Sequence, residues 1–187
     1  MAYRRAGGIP WKALAVGGLV LSVTAAILRA KRSEPKAQRV ALIGDSYAVG
    51  LGPELAKLLP DFKFEGVQGT NTSQWAHRAA ACGQCGAWLT SFKPNIVLVS
   101  LGVNDGATPN PANYQTIVRW LHGIGARVAW IDPPATVNAP ATRVVIASLG
   151  VSTVPAPTLP MANSLHPTTP EGYRIWAQEI ARAVARG

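Results

Sequence analysis

Four short stretches of this 187-residue chain carry side chains suited to acyl-transfer chemistry. Gly44-Asp45-Ser46 follows an apolar run and precedes a helical pattern. That places the Ser46 hydroxyl at a strand-to-helix turn, where a helix N-terminus favours developing negative charge. A serine nucleophile needs a base to take its proton. His166 lies in a late loop just before the closing helix, whereas His77 and His122 fall within helical stretches and read as surface or packing residues. The reaction also needs donors aimed at the oxyanion. The Ser46 N–H, the Gly69 N–H and the Asn104 side chain, all from strand ends, are the candidates. Taken singly, a serine before a helix is an ordinary N-cap and Asn104-Asp105 an ordinary turn. Their order and placement together carry the information.

The elements that position these residues are legible as an alternation. Val40 to Ile43 reads as a buried strand, Pro53 to Leu59 as a helix and Phe62 to Val67 as a second strand. Thr72 to Phe92 is mainly helical with a glycine-containing break, and Asn95 to Leu101 is the strongest strand pattern. A helix over Tyr114 to His122, a strand over Arg127 to Ile131, a helix over Thr142 to Leu149 and a weak strand over Val151 to Val154 follow. Pro170 to Ala185 closes the chain as an amphipathic helix with Tyr173, Trp176, Ala177, Ile180 and Val184 on one face. Strands alternating with helices imply a parallel sheet covered on both faces. Functional residues in such sheets gather beyond the C-terminal strand ends, where Ser46, Gly69 and Asn104 are expected.

The ensemble resembles the SGNH, or GDSL-type, hydrolase family. Gly44-Asp45-Ser46 is similar to its first block, Gly69 to its second-block glycine and Gly102-Val103-Asn104-Asp105 to its third. Asn163-Ser164-Leu165-His166-Pro167 resembles the last block, usually D-x-x-H. The resemblance covers residues 39–187. It implies a three-layer α/β/α sandwich with a five-stranded parallel sheet of flavodoxin-like type, and ester or acetyl hydrolysis without metal or organic cofactor.

The sequence departs from that family in one place: Asn163 stands where the last block carries Asp. A triad carboxylate orients the imidazole and stabilises the imidazolium. The Asn163 amide oxygen can accept the same Nδ1–H bond but brings no charge. Asp132, after the fourth strand, is the alternative orienter; before Pro133-Pro134 it also reads as a strand-terminating residue. Tyr47 and Trp75 neighbour the motifs and suit either sugar stacking or core packing. Cys82-Gly83-Gln84-Cys85 follows an Ala-rich helical stretch rather than a strand, which argues against a redox motif and leaves a short disulfide or two free thiols.

Composition bounds the remaining classes. With 48% apolar residues the chain has enough to bury, which excludes disorder. Two cysteines and three separated histidines give no local metal-ligand motif. The net charge of +9 is concentrated in residues 1–40, which hold eight basic residues and one acidic residue, Glu34. The rest of the chain is nearly balanced and shows no dense basic stripe, so nucleic acid is not an expected partner.

Ala13 to Leu28 is a 16-residue run without a charge. As a helix it spans about 24 Å, and Trp11, Lys12 and Arg29 extend its reach towards the interfaces of a bilayer. A membrane anchor over residues 1–29, bilayer-bound through residues 11–29, is the first reading, followed by a basic linker over residues 30–38. A cleaved signal peptide, with Arg4 and Arg5 before the run and Val23-Thr24-Ala25 as the cleavage site, and a buried soluble helix are the alternatives. Gly18, Ser22 and Ala26 form a small-residue stripe suited to helix–helix association, or arise by chance in an Ala/Gly-rich segment. The positive-inside count places the C-terminal side in the cytoplasm, whereas the expected chemistry suits an extracytoplasmic domain.

The sequence therefore leads to an expected membrane-anchored serine esterase, acting on an ester such as an O-acetylated cell-envelope glycan or peptidoglycan. A structural or binding protein on a decayed esterase fold is the rival, favoured by Asn163. An acyltransferase with the same site is a third reading and requires a pocket that excludes water.

Overall fold

The computed structural model describes residues 38–81 and 87–186. The proposed anchor over 1–29, the small-residue stripe, the linker up to residue 37 and the Cys82–Cys85 pair lie outside the described residues. Among the described residues, no helix is long and apolar enough to cross a membrane.

Among the described residues, five strands form one parallel sheet: β1 (Val40–Gly44), β2 (Phe62–Gly66), β3 (Ile96–Ser100), β4 (Arg127–Ile131) and β5 (Ser152–Val154), in the order β2-β1-β3-β4-β5. Six helices among the described residues connect and cover them: α1 (Ser46–Ala56), α2 (Thr72–Ala81), α3 (Ala87–Phe92), α4 (Pro111–Gly123), α5 (Pro140–Ser148) and α6 (Glu171–Arg186). The expected sheet and layering are present. All five strands match to within a residue or two.

Side-chain alternation along the central strands creates two cores. Val40 and Leu42 of β1 and Ile96 and Leu98 of β3 face α1 and α6, where Leu51, Trp176 and Ile180 are fully buried. Ala41, Ile43, Val97 and Val99 face the opposite layer of α2 to α5, packing with Trp75, Ile117 and Trp130. Burying a side chain of this size stabilises the fold by about 1.5–3 kcal/mol. The predicted face of the closing helix, Tyr173, Trp176, Ala177, Ile180 and Val184, is buried throughout.

The first helix corrects the expectation. It begins at Ser46 rather than Pro53, and carries Pro53 inside it. Gly50, Gly52 and Pro53 lower local helix propensity. Burial of Tyr47, Ala48, Leu51 and Leu55 against the sheet overrides it. Tyr47 and Trp75 are each 2% exposed, so both are core residues and neither is open for sugar stacking.

Candidate active site

The position of Ser46 follows from the end of β1. A Cβ on Gly44 would lie 2.3 Å from the Ser100 carbonyl oxygen, so only glycine lets β1 run this close to β3 as it ends. The Asp45 N–H then donates to that same carbonyl at 3.0 Å, and the chain turns into α1. Asp45 is the N-cap: its Oδ1 accepts from the Tyr47 N–H at 3.0 Å. Ser46 is consequently the first residue of the helix and is half-buried at its positive end.

His166 reaches Ser46 across 120 residues of sequence, with Nε2 3.0 Å from the Ser46 Oγ. The loop that holds it is closed by its own backbone. Ala162 N–H donates to the His166 carbonyl at 2.9 Å, and Met161 and Pro167 form an antiparallel bridge. Tyr47 ties this loop to the first helix: its hydroxyl donates to the Leu165 carbonyl at 2.8 Å, and its ring meets the His166 ring edge-on at 5.8 Å between centroids. The sequence reading missed this anchor. The signal was present in the adjacency of a large aromatic residue to the serine.

Asn163 is placed differently from the expectation. Its Oδ1 accepts the backbone N–H groups of Leu165 at 2.8 Å and His166 at 2.7 Å. The oxygen that was to receive the imidazole Nδ1–H is instead the acceptor of an Asx turn. Asn163 thus shapes the backbone that presents His166. The His166 Nδ1 has no hydrogen-bond acceptor among the described residues. Asp132 makes no hydrogen bond or ion pair to His166 either. Its N–H continues the sheet to Val154, and its carboxyl is half-buried and raised above the usual carboxylate range by that burial, with the Arg143 charge opposing.

Asn104 projects from the loop after β3. Its Nδ2 donates to the Thr70 carbonyl at 2.9 Å and lies 3.5 Å from the Asp45 Oδ2. One amide proton is firmly used, and the other makes a long contact that an oxyanion can replace. Asp45 is fully buried, and burial pushes its carboxyl up to about 7, helped by the negative charge of Asp105 and opposed by backbone hydrogen bonds. Nothing in the local pattern signals this, because Asp at a strand end reads as a simple cap. Gly69 sits in the loop after β2 with a φ of +69°, exposed. His77 and His122 are exposed on their helices.

Ser46 and His166 open into a solvent-accessible cleft whose walls include Val49, Pro53, Ala162, Pro167 and Tyr173. The Gln68 side of this cleft adjoins a second, more polar one bounded by Gly69, Thr70 and His77. The arrangement can deprotonate Ser46, accept an acyl group on it, and return the proton through His166.

No family model and no curated protein matches the chain. Solved structures do. A candidate platelet activating factor from Streptococcus pneumonia is 13% identical with a TM-score of 0.57, covering 89% of this chain and 99% of its own. A candidate GDSL-like lipase from Bacteroides uniformis is 14% identical with a TM-score of 0.59, covering 81% of this chain and 98% of its own. The C-terminal catalytic domain of a Streptococcus pneumoniae peptidoglycan O-acetyltransferase, with a methylsulfonyl adduct, is 17% identical with a TM-score of 0.54, covering 80% of this chain and 94% of its own. These likenesses establish the fold, which is that of the SGNH-type hydrolases the motifs resemble.

Proposed function

We propose that this chain is a serine ester hydrolase. The observation that carries the reading is the 3.0 Å approach of His166 Nε2 to Ser46 Oγ at the N-terminus of α1. His166 takes the Ser46 proton as Oγ attacks the ester carbonyl. The oxyanion of the tetrahedral intermediate is received by the N–H groups of Ser46 and Gly69 and by Asn104 Nδ2. His166 then protonates the departing alcohol. Water, deprotonated by His166, attacks the acyl-enzyme, and the carboxylic acid leaves with Ser46 restored. Without a carboxylate on Nδ1, the imidazolium lacks a charge partner, and turnover is slower than with a full triad. The reaction calls for no metal or organic cofactor.

The substrate class we infer is an O-acetyl ester on a cell-envelope glycan such as peptidoglycan. The likeness to the catalytic domain of a peptidoglycan O-acetyltransferase supports it, as does the open cleft beside Ser46, where Val49, Pro53, Ala162 and Pro167 stand next to the polar Gln68 and Thr169. In this reading residues 11–29 hold the protein in a bilayer as a single-pass anchor, with Gly18, Ser22 and Ala26 available for helix association and the catalytic domain outside the cytoplasm. Hydrolysis of p-nitrophenyl acetate by the wild type and by Ser46→Ala tests the enzyme reading. Turnover lost in the variant supports it. Equal turnover in both leaves a binding protein on a decayed esterase fold, the reading that the unpartnered Nδ1 of His166 favours.

A further inference from the structure

We infer that Asp105, which by sequence is only a turn residue after β3, is the positioning residue that sets both oxyanion donors outside the first helix. The inference rests on the esterase reading and adds a residue to it. Gly69 has no side chain to anchor it, and a Cβ there would stand in open space. What fixes it is the anchoring of the residues that follow.

That anchoring comes from two consecutive residues of the loop after β3. Asn104 Nδ2 holds the Thr70 carbonyl at 2.9 Å. The Asp105 carboxylate takes the Thr72 backbone N–H on Oδ1 at 2.9 Å and the Thr72 hydroxyl on Oδ2 at 2.5 Å. Thr72 is the first residue of α2, so its N–H belongs to the unpartnered group that opens every helix. A carboxylate 33 residues away in sequence satisfies it and sits on the positive end of that helix. Thr70 and Thr72 are 3% and 1% exposed, so water cannot substitute readily for either partner. Within the loop, Thr70 N–H bonds the Val67 carbonyl at 3.2 Å, and Gln74 Oε1 accepts from Thr70 Oγ1 and the Asn71 N–H. These bonds make residues 67–74 one rigid piece, and Asp105 docks that piece on the loop that carries Asn104. The Gly69 N–H and the Asn104 amide are thereby held in one frame.

Asp105→Ala releases the frame. A displacement on the order of 1 Å at a reacting group costs up to roughly 10²-fold in rate, so kcat for p-nitrophenyl acetate in the full chain should fall about 10- to 100-fold with KM within about twofold. Asp105→Asn should restore most of the rate, because Oδ1 still accepts the Thr72 N–H and Nδ2 can donate to the Thr72 hydroxyl. Thr72→Val, which removes the hydroxyl bond alone, should give a smaller loss of kcat and serves if Asp105→Ala does not fold. A merely structural role would lower the unfolding midpoint without this kcat-selective loss. The inference alone is overturned if Ser46→Ala is inactive while Asp105→Ala, or Thr72→Val where the former is unfolded, keeps the wild-type kcat. Equal turnover in wild type and Ser46→Ala overturns it together with the esterase reading.

Discussion

Replacing Asp45 by asparagine should change how stability depends on pH. Asp45 has no exposed surface, and its carboxyl is pushed from an ordinary 3.8 up to about 7, chiefly by burial. The unfolded chain releases this proton near pH 4, while the folded chain keeps it to about pH 7. Between those values the folded state binds more protons, so stability falls as pH rises, and the loss is complete above about pH 7. At about 1.4 kcal/mol for each pH unit between the two values, the loss amounts to roughly 4 kcal/mol. In Asp45→Asn the amide oxygen can still accept the Tyr47 N–H that caps α1. The variant side chain does not titrate, so the stability difference between Asp45→Asn and wild type should move in the variant's favour by up to roughly 4 kcal/mol from pH 4 to pH 8. Urea unfolding of both proteins at the two pH values measures it, and taking the difference cancels the other carboxyls. A difference that stays constant within about 1 kcal/mol would refute the reasoning, since that is less than a single pH unit of altered proton affinity would produce.

Two further outcomes are expected. Asn163→Ala strips the acceptor from two backbone N–H groups, at about 1–2 kcal/mol, and should lower kcat roughly tenfold by loosening His166. Asn163→Asp keeps the Asx turn and should hold kcat/KM within about threefold of wild type; a tenfold gain in steady-state assays would show instead that residue 163 reaches the imidazole. Deleting residues 1–35 should leave a domain with a single cooperative thermal transition by circular dichroism, because both cores seen among the described residues are complete packings of residues from 40 onward; loss of that transition would place Ala13–Leu28 within the core.

How far the chain could be read from its residues depended on what each conclusion required. The strand–helix alternation and the placing of Ser46 and Asn104 at strand ends follow from local apolar patterns, and the sheet realises them. The Ser46–His166 pair was legible because motif order fixes which loops converge. Asn163 was not, because a residue three positions before a histidine can either face the ring or cap the backbone. Loop closure by Ala162, His166 and the Tyr47 hydroxyl makes the capping geometry. The early start of α1 was hidden for a related reason: its glycines and proline speak against a helix, and the burial that outweighs them exists only once the sheet forms. The burial of Asp45 and the Asp105–Thr72 bonds likewise depend on contacts between separate strand ends.

The central claim is that His166 activates Ser46 as a nucleophile. Incubating the full chain with a serine-reactive fluorophosphonate and digesting it for peptide mass spectrometry tests this directly. The adduct should sit on Ser46, and its rate of formation should fall sharply in His166→Ala, since the hydroxyl then loses the imidazole 3.0 Å away that takes its proton. An adduct on another serine, or equal labelling of Ser46 with and without His166, would contradict the account.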